Sequence, residues 1–346
     1  MSGRVVVVGA ALMDVHAVSR RRLVLETSNP ATISTSPGGV GRNIAENLAR
    51  LGTAVDLVAV VGADAFGDAL IDQARSVGIG TGEMITTPYP TGTYVAVLDA
   101  DGELSVAASD ATATDGLTVP MLVGARSALE SAALLVLDGN LPPACVGWLL
   151  DVAAAASVPV VLEPVSVPKA ERLAALLDTT RPILLLTPNR DELAALAAGP
   201  TRPLDRSGLG PGGDSSPDGG PAPGSAPGPT HREGTALDRA VGMLHDRGVR
   251  HVWVRQGAEG STLHTAGSSP TVLPGRATTV VDVTGAGDAM TAGFVHALVE
   301  GATPSEAAAY GQAAAELTVA SPHTVRPDLS DALVRGRREP DRGDPL

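Results

Sequence analysis

A carboxylate follows a glycine-rich turn late in the chain, in the run DVTGAGD at residues 282–288. The small residues Gly285, Ala286 and Gly287 let the backbone turn tightly and direct successive N–H groups toward one point. A stretch of helical length follows, so the positive end of a helix dipole adds to a predicted anion site. Asp288 would repel that anion unless it removes a proton from a hydroxyl that attacks phosphorus. The pattern indicates phosphoryl transfer to an alcohol.

Two other kinds of phosphate-binding loop do not match this run. A Walker loop requires a lysine after its last glycine, but the only lysine of the chain is Lys169, far from the run in sequence. A Rossmann fingerprint requires a third glycine where Met290 stands. Taken alone, the run is also compatible with a simple turn that places Asp288 at a helix N-terminus.

The run resembles the C-terminal signature, D/N-x-T-G-A-G-D, of the ribokinase/PfkB-like carbohydrate and nucleoside kinases. The second signature of that family, a Gly-Gly segment followed by an asparagine, is matched by PGGVGRN at residues 37–43. The similarity extends from about Val5 to about Pro322, and within the family the strings SNP (28–30) and PGGVGRNIA (37–45) are most similar to the pseudouridine kinases. The resemblance implies a ribokinase-like, doubly wound α/β fold: a mostly parallel sheet with helices on both faces and a small β lid.

The resemblance also implies a reaction. It predicts ATP-dependent phosphorylation of the ribose 5′-hydroxyl of pseudouridine in nucleoside catabolism, with Asp288 as the base and magnesium bridging the ATP phosphates. The amides of Gly285, Ala286 and Gly287 would neutralise charge on the transferred group. With no lysine expected at the site, an arginine such as Arg190 is predicted to share this role. Two alternatives remain: ribokinase or another sugar or nucleoside kinase, and a non-catalytic nucleoside-binding regulator, which the intact Asp288 argues against.

Candidate substrate contacts follow from the resemblance, position by position. The predicted ribose contacts are Asp14, Gly38, Gly39 and Asn43, and the predicted base contacts on the lid are Asn29 and Asp110. From residue type alone, the aspartates and asparagines are equally compatible with turn or helix-cap positions, and the lid residues with exposed loops.

On the nucleotide side, Asn189 and Glu192 match the family's N-x-x-E box, which organises magnesium through water. The same spacing is typical of a helix capping box. After the predicted strand Val158–Leu162 the family often has aspartate or asparagine, where this chain has Glu163.

Two further segments complete the predicted nucleotide site. Gly257 and Gly260 resemble the G-x-x-G turn beside the ATP phosphates, although a plain turn is also compatible. Thr284 is predicted to contact the nucleotide, and Asp282 and Thr284 correspond to a loop that binds a monovalent cation, usually potassium, in relatives.

Composition narrows the class of protein. The chain has 346 residues, 44% of them hydrophobic, which is enough for a large buried core. Its formal net charge of −13 opposes binding to nucleic acid or to an anionic membrane, so a small-molecule nucleoside is the expected partner. The single cysteine, Cys145, excludes an intrachain disulfide and fits a reducing cytoplasm. The apolar start, Val5–Met13, is too short for a membrane span.

Apolar runs of strand length alternate with amphipathic segments of helix length. The predicted strands are Val5–Val8, Val55–Val61, Ala133–Leu137, Val158–Leu162, Ile183–Leu186 and His251–Arg255. Continuous hydrophobicity in such runs favours a parallel sheet that is buried on both faces. We predict one kinase domain over residues 1–334, with lid segments at about 15–36 and 90–110 that also pair two copies into a homodimer. A Gly/Pro-rich insertion at about 199–234 and a tail at 335–346 are predicted to be disordered or flexible.

Overall fold

The computed structural model describes residues 3–199, 231–276 and 279–338. The strands of the described residues are β1 (Val5–Val8), β2 (Leu12–Ser19), β3 (Ala31–Gly38), β4 (Val55–Val58), β5 (Val60–Gly62), β6 (Ile85–Thr87), β7 (Thr93–Leu98), β8 (Leu104–Asp110), β9 (Leu134–Asp138), β10 (Val160–Glu163), β11 (Ile183–Leu186), β12 (Val249–Arg255), β13 (Gly260–Thr265) and β14 (Thr271–Pro274). The α-helices are α1 (Val40–Leu51), α2 (Ala65–Ser76), α3 (Thr112–Asp115), α4 (Val119–Leu122), α5 (Arg126–Glu130), α6 (Pro143–Ala156), α7 (Val167–Ala174), α8 (Arg190–Ala198), α9 (His231–Asp246), α10 (Ala286–Val299), α11 (Pro304–Val319) and α12 (Asp331–Arg338).

The main sheet has the strand order β14-β13-β12-β11-β10-β9-β1-β4 among the described residues. The strands from β12 to β4 are parallel, and β13 and β14 add an antiparallel edge. Helices cover both faces, and alternate side chains of β1 show why. Val5 and Val7 belong to a core shared with α1, α2, α10 and α11, while Val6 and Val8 pack into a second core with α6, α7, α8 and α9. The predicted doubly wound, mostly parallel α/β fold is confirmed.

A second, smaller sheet has the order β3-β2-β7-β8. We call it the small sheet. It is built from the two segments that the sequence assigned to the lid, and the turn between β7 and β8 lies at residues 100–102. Because β2 begins four residues after β1 ends, it carries Asp14 directly from the main sheet into the small one. That the small sheet acts as a lid, and that residues 1–334 form one domain, stay predictions.

Three boundaries differ from the sequence prediction. The run Val55–Val61 forms two strands, because the chain leaves the main sheet at Ala59 and β5 pairs with β6 in a separate sheet. The predicted flexible tail begins too early, because α12 continues to Arg338 and Arg335 pairs with Asp331. Of the predicted insertion, residues 200–230 lie outside the described residues, and 231–234 form the start of α9.

Among the described residues, no helix combines the length and the apolar character that crossing a bilayer requires.

Candidate active site

The glycine turn begins α10 and places Asp288 in its first turn. Gly285, the residue before the helix, has φ 77°, and a β-carbon there would lie 2.0 Å from the Thr324 carbonyl oxygen, so the turn requires glycine. Asp288 is buried, with 9% of its surface exposed. The N–H of Ala286 donates to the Val283 carbonyl at 3.3 Å within the turn. For the N–H groups of Gly285 and Gly287 the described residues supply no acceptor, so both are available to an anion.

Helix α1 supplies a buried partner for Asp288. Asn43 Nδ2 donates to Asp288 Oδ2 at 2.8 Å, while Asn43 Oδ1 accepts a short hydrogen bond from Arg42. Arg42, which is 2% exposed, also pairs with Glu46 and donates to the Gly38 carbonyl at 3.1 Å. Because a guanidinium only donates, Arg42 fixes which end of the Asn43 amide faces Asp288. Arg42 is not among the site residues predicted from the sequence.

Burial raises the pKa of Asp288 from its ordinary value of 3.8 to about 7. The hydrogen bond from Asn43 acts in the opposite direction, while Glu163 raises the pKa and Arg255 lowers it. Asp288 Oδ1 has no hydrogen-bond partner among the described residues. A carboxylate with a pKa near neutrality and one open oxygen is suited to accept a proton from a hydroxyl.

A cavity of about 360 Å³, which we call the acceptor cavity, opens in front of Asp288. Its lining includes the predicted residues Asp14, Gly39, Asn43, Thr284, Gly285 and Gly287. Asp14 makes no hydrogen bond with the described residues; burial raises its pKa, although His16 and Arg42 act to lower it. Its carboxylate is therefore open to ligand hydroxyls. Gly38 lies beside this lining, at the end of β3.

The end of β9 contributes residues that the sequence analysis missed. Asp138 is fully buried and accepts the N–H groups of Ala10 and Gly41 at 2.9 and 2.8 Å, which ties α1 to the main sheet. Asn140, two residues later, lines the acceptor cavity and accepts a short hydrogen bond from Lys169 Nζ. Lys169 itself lines neither cavity, but α7 brings it next to the lining residue Asn140.

A second cavity of about 470 Å³, the donor cavity, lies on the other side of the glycine turn. Gly257 and Gly260 line it, as do Ala286, Gly287 and apolar residues such as Val283. Arg255 and Gly287 are the residues that line both cavities, so the two spaces meet at the start of α10. The predicted nucleotide residue Thr284 lines the acceptor cavity instead.

The N-x-x-E box lies behind this junction. Asn189 and Glu192 form the reciprocal capping box of α8, with both hydrogen bonds at 2.9 Å. Glu192 lines neither cavity but accepts from Arg255 Nη2 at 3.1 Å. Arg190, the predicted anion-binding arginine, is exposed and pairs with Glu259 at 2.6 Å outside both linings. Arg255, at the end of β12, lies at the junction of the two cavities, where Arg190 was expected.

Three predicted residues make local contacts in the structure. Asp282 Oδ1 accepts from the N–H and hydroxyl of Thr284 at 2.8 and 2.7 Å. Asn29 bonds to the backbone of Val24 and Thr27 within its own loop. Asp110 accepts from the N–H and hydroxyl of Thr112. Neither Asn29 nor Asp110 belongs to the lining of the acceptor cavity.

Comparison with known proteins identifies the family. The profile described as pfkB family carbohydrate kinase matches residues 2–207 and 226–331. The chain belongs to this family. A pseudouridine kinase from Escherichia coli is 32% identical over 332 residues, which cover 95% of this chain and 95% of the relative.

Solved structures of relatives have the same fold. A ribokinase from Arabidopsis thaliana, solved with ribose and ATP, superposes with a TM-score of 0.77 at 27% identity and covers 98% of this chain and 99% of its own. A carbohydrate kinase from Agrobacterium tumefaciens gives 0.78 at 28% identity, with 97% of each chain covered. The chain is therefore a ribokinase-like phosphotransferase whose family acts on small sugar or nucleoside substrates.

Proposed function

We propose that this enzyme transfers the γ-phosphoryl group of ATP to the 5′-hydroxyl of pseudouridine, giving pseudouridine 5′-phosphate and ADP. The observation that carries the proposal is the position of Asp288. It lies in the acceptor cavity, beside the glycine turn that this cavity shares with the donor cavity. The pseudouridine kinase from Escherichia coli, similar over 95% of both chains, supports the choice of nucleoside.

In the reaction, the 5′-oxygen forms a bond to the γ-phosphorus while the bond from phosphorus to the bridging oxygen of ADP breaks. The proton of the hydroxyl passes to Asp288, whose Oδ2 is held by Asn43 and whose Oδ1 is open. Charge on the transferred group meets the N–H groups of the glycine turn and the positive end of the α10 dipole. Asp14, which has an open carboxylate, binds the ribose hydroxyls.

The donor cavity is the proposed ATP site. Its lining combines the glycines 257 and 260 with the apolar side chains of Val280, Val283 and Val319, a surface that suits a purine ring. The Arabidopsis ribokinase with a similar fold was solved with ATP and ribose together.

Magnesium and potassium are proposed as cofactors. Magnesium is commonly held by one or two carboxylates together with substrate phosphates, and the described residues contain no cluster of three or more ligands that would hold it alone. Glu192 fits this pattern, because its Oε1 has no hydrogen-bond partner among the described residues, and we propose that it holds Mg²⁺ through water. Bound there, magnesium would neutralise charge on the ATP phosphates. The Asp282 and Thr284 loop is the proposed potassium site.

We also propose that the enzyme is a cytoplasmic homodimer paired through the small sheet. Ile33, Ala17, Val97 and Val106 are in register across all four strands and therefore lie on one face. Ile33 and Val106 are 68% and 58% exposed, and a second copy would cover this apolar row. Light scattering on Ile33→Asp should give monomers, whereas Thr32→Asp, on the opposite face of β3, should leave the dimer intact. Equal masses for wild type and Ile33→Asp would disprove pairing through this row.

The substrate is tested by ATP consumption with a panel of pseudouridine, uridine, other nucleosides and free ribose. Phosphorus NMR of the product identifies the oxygen that is phosphorylated. Ribokinase is the second candidate, because the Arabidopsis ribokinase is 27% identical over nearly the whole chain. Preferred use of ribose would select that function, and nucleoside binding without ATP consumption would indicate a regulator.

A further inference from the structure

Arg255 has a position that no sequence motif indicates. It is the last residue of β12, and with Gly287 it lines both the acceptor cavity and the donor cavity. A group that passes from one cavity to the other must pass these two residues.

Two buried carboxylates hold the Arg255 guanidinium in place. Its Nη2 donates to Glu163 Oε1 at 2.7 Å and to Glu192 Oε2 at 3.1 Å. Glu163 is itself fixed, because its Oε2 accepts from the hydroxyls of Thr187 and Thr291 at 2.5 and 3.3 Å. This contact also explains the glutamate at a position where the family often has aspartate or asparagine: the longer side chain reaches Arg255.

The other side of the guanidinium lies over the glycine turn. A β-carbon on Gly287 would lie 2.3 Å from Arg255 Nη1, so the guanidinium packs directly against the backbone of the turn and would have to shift if a larger residue replaced Gly287. Nη1 makes no hydrogen bond to the described residues, and the Arg255 side chain is 20% exposed. One nitrogen is therefore anchored and the other is open beside the anion-binding N–H groups.

The charge of this guanidinium is secure at any pH at which the fold survives. Burial alone would lower the pKa of Arg255, but the carboxylates of Glu163 and Glu192 offset burial and the pKa is raised. A planar, fixed donor that stays charged is the side chain best suited to phosphoryl oxygens.

We infer that Arg255 is a catalytic residue that binds the transferred phosphoryl group through Nη1 while Glu163 and Glu192 hold Nη2. The inference rests on the proposed kinase function and adds a charged group to its glycine turn. Because the junction is occupied by the group in transit, the contact should strengthen in the transition state and affect kcat more than the KM for ATP.

The alternative is that Arg255 only neutralises two buried carboxylates. Its simple removal would then leave those charges unpaired and could unfold the protein. Two variants avoid this problem. Arg255→Lys keeps the positive charge but has one nitrogen in place of the pair Nη1 and Nη2. The double variant Arg255→Gln with Glu163→Gln removes one cation together with one carboxylate. Arg250→Gln, an exposed position on the same strand, is the matched control.

The test compares binding of ADP alone with binding of ADP, aluminium fluoride, magnesium and pseudouridine, a mimic of the group in transit. We expect both site variants to keep ADP affinity within about threefold and to lose about 100-fold or more in mimic affinity and kcat. The control should match wild type. Mimic affinity that falls no further than ADP affinity, or a kcat within about fivefold of wild type, would overturn the inference. If wild-type enzyme uses no nucleoside, the proposed function fails, while a mimic formed on ADP still reports on Arg255.

Discussion

The floor of the acceptor cavity and the small sheet above it hold their polar side chains in opposite ways. On the floor, Asp288 and Asn43 are buried and joined across 245 positions of sequence. At the small sheet, the side chains of Asp110, at the end of β8, and Asn29, in the loop between β2 and β3, bond to residues at most five positions away. Long-range contacts fix the positions of the catalytic side chains before the substrate binds, whereas a side chain with only local contacts can move together with its own loop. The comparison suggests that the floor sets the chemistry and the small sheet sets the choice of substrate.

The largest effect is expected on the floor, from Asp288→Asn. Removing the general base should lower kcat by about 10²–10⁴ while ATP binding stays nearly unchanged. Steady-state kinetics and nucleotide titration measure the two quantities. Turnover within a few-fold of wild type would show that Asp288 is not the base.

The pH dependence tests the same residue without a mutation. Because the pKa of Asp288 is raised to about 7, protonation below that pH should remove the base. We expect kcat/KM to fall about tenfold per pH unit below 7, or about 10²-fold at pH 5. Activity that stays flat from pH 8 to pH 5 would contradict the assignment, provided that circular dichroism shows a folded protein throughout.

Stability provides an independent check of this burial. The folded-state pKa of about 7 lies above the ordinary value of 3.8, so the contribution of Asp288 to stability is full below about pH 4 and is lost as pH rises to 7. Asp288→Asn lacks this charge and should be more stable than wild type at pH 8 by up to about 4 kcal/mol, with the difference disappearing near pH 4. Urea unfolding at both pH values measures it, and a destabilised variant at pH 8 would be inconsistent with a desolvated carboxylate.

How far the sequence could predict this site depends on how local each signal is. The glycine turn and Asn43 each belong to a short motif, Asp14 was predicted from its position in the family resemblance, and the structure brings all three to one cavity. Arg255 and Asn140 belong to no such motif, and only the order of strands in the main sheet places them there. The fold was predictable for a related reason, because continuous apolar runs such as Val5–Val8 indicate strands buried on both faces.

Other errors arose from contacts that a linear pattern does not contain. Arg190 and Arg255 are equally charged, but only the fold shows that Arg255 lines both cavities while Arg190 pairs with Glu259 outside them. Lys169 is distant from the glycine turn in sequence, so its contact with the lining residue Asn140 could not be read from a motif either. The end of α12 is held by ion pairs, including that between Arg335 and Asp331, which composition alone does not show.

The preference between substrates tests the proposed role of the small sheet. Pseudouridine keeps an N1–H donor that uridine lacks, so an acceptor placed to meet it is left unpaired when uridine binds. Such an unpaired group costs about 1–3 kcal/mol, and we expect a preference for pseudouridine of at least about tenfold in kcat/KM. Initial rates on pseudouridine, uridine and ribose measure it. Equal or better use of uridine would remove the pseudouridine assignment and leave the kinase assignment standing.

The smallest expected effect separates the two proposed acceptors, Asp110 at the end of β8 and Asn29 in the loop before β3. Asn29 Oδ1 already accepts the Val24 N–H at 2.9 Å, whereas only Oδ1 of Asp110 is engaged, by Thr112, and no described residue bonds to its other oxygen. Asp110 is also paired in register with Thr93, the neighbour of the cavity residue Tyr94. We therefore expect Asp110→Ala to lower pseudouridine use by up to about tenfold with uridine use unchanged, and Asn29→Ala to preserve the preference. The opposite pattern would assign the acceptor to Asn29. A similar loss of activity on both nucleosides would show that Asp110 maintains the structure of the small sheet and does not recognise the base. If Asp110→Ala lowered kcat as much as Asp288→Asn does, the proposed difference between the floor and the small sheet would be wrong. The chemistry would then depend on a side chain that is held only by local contacts.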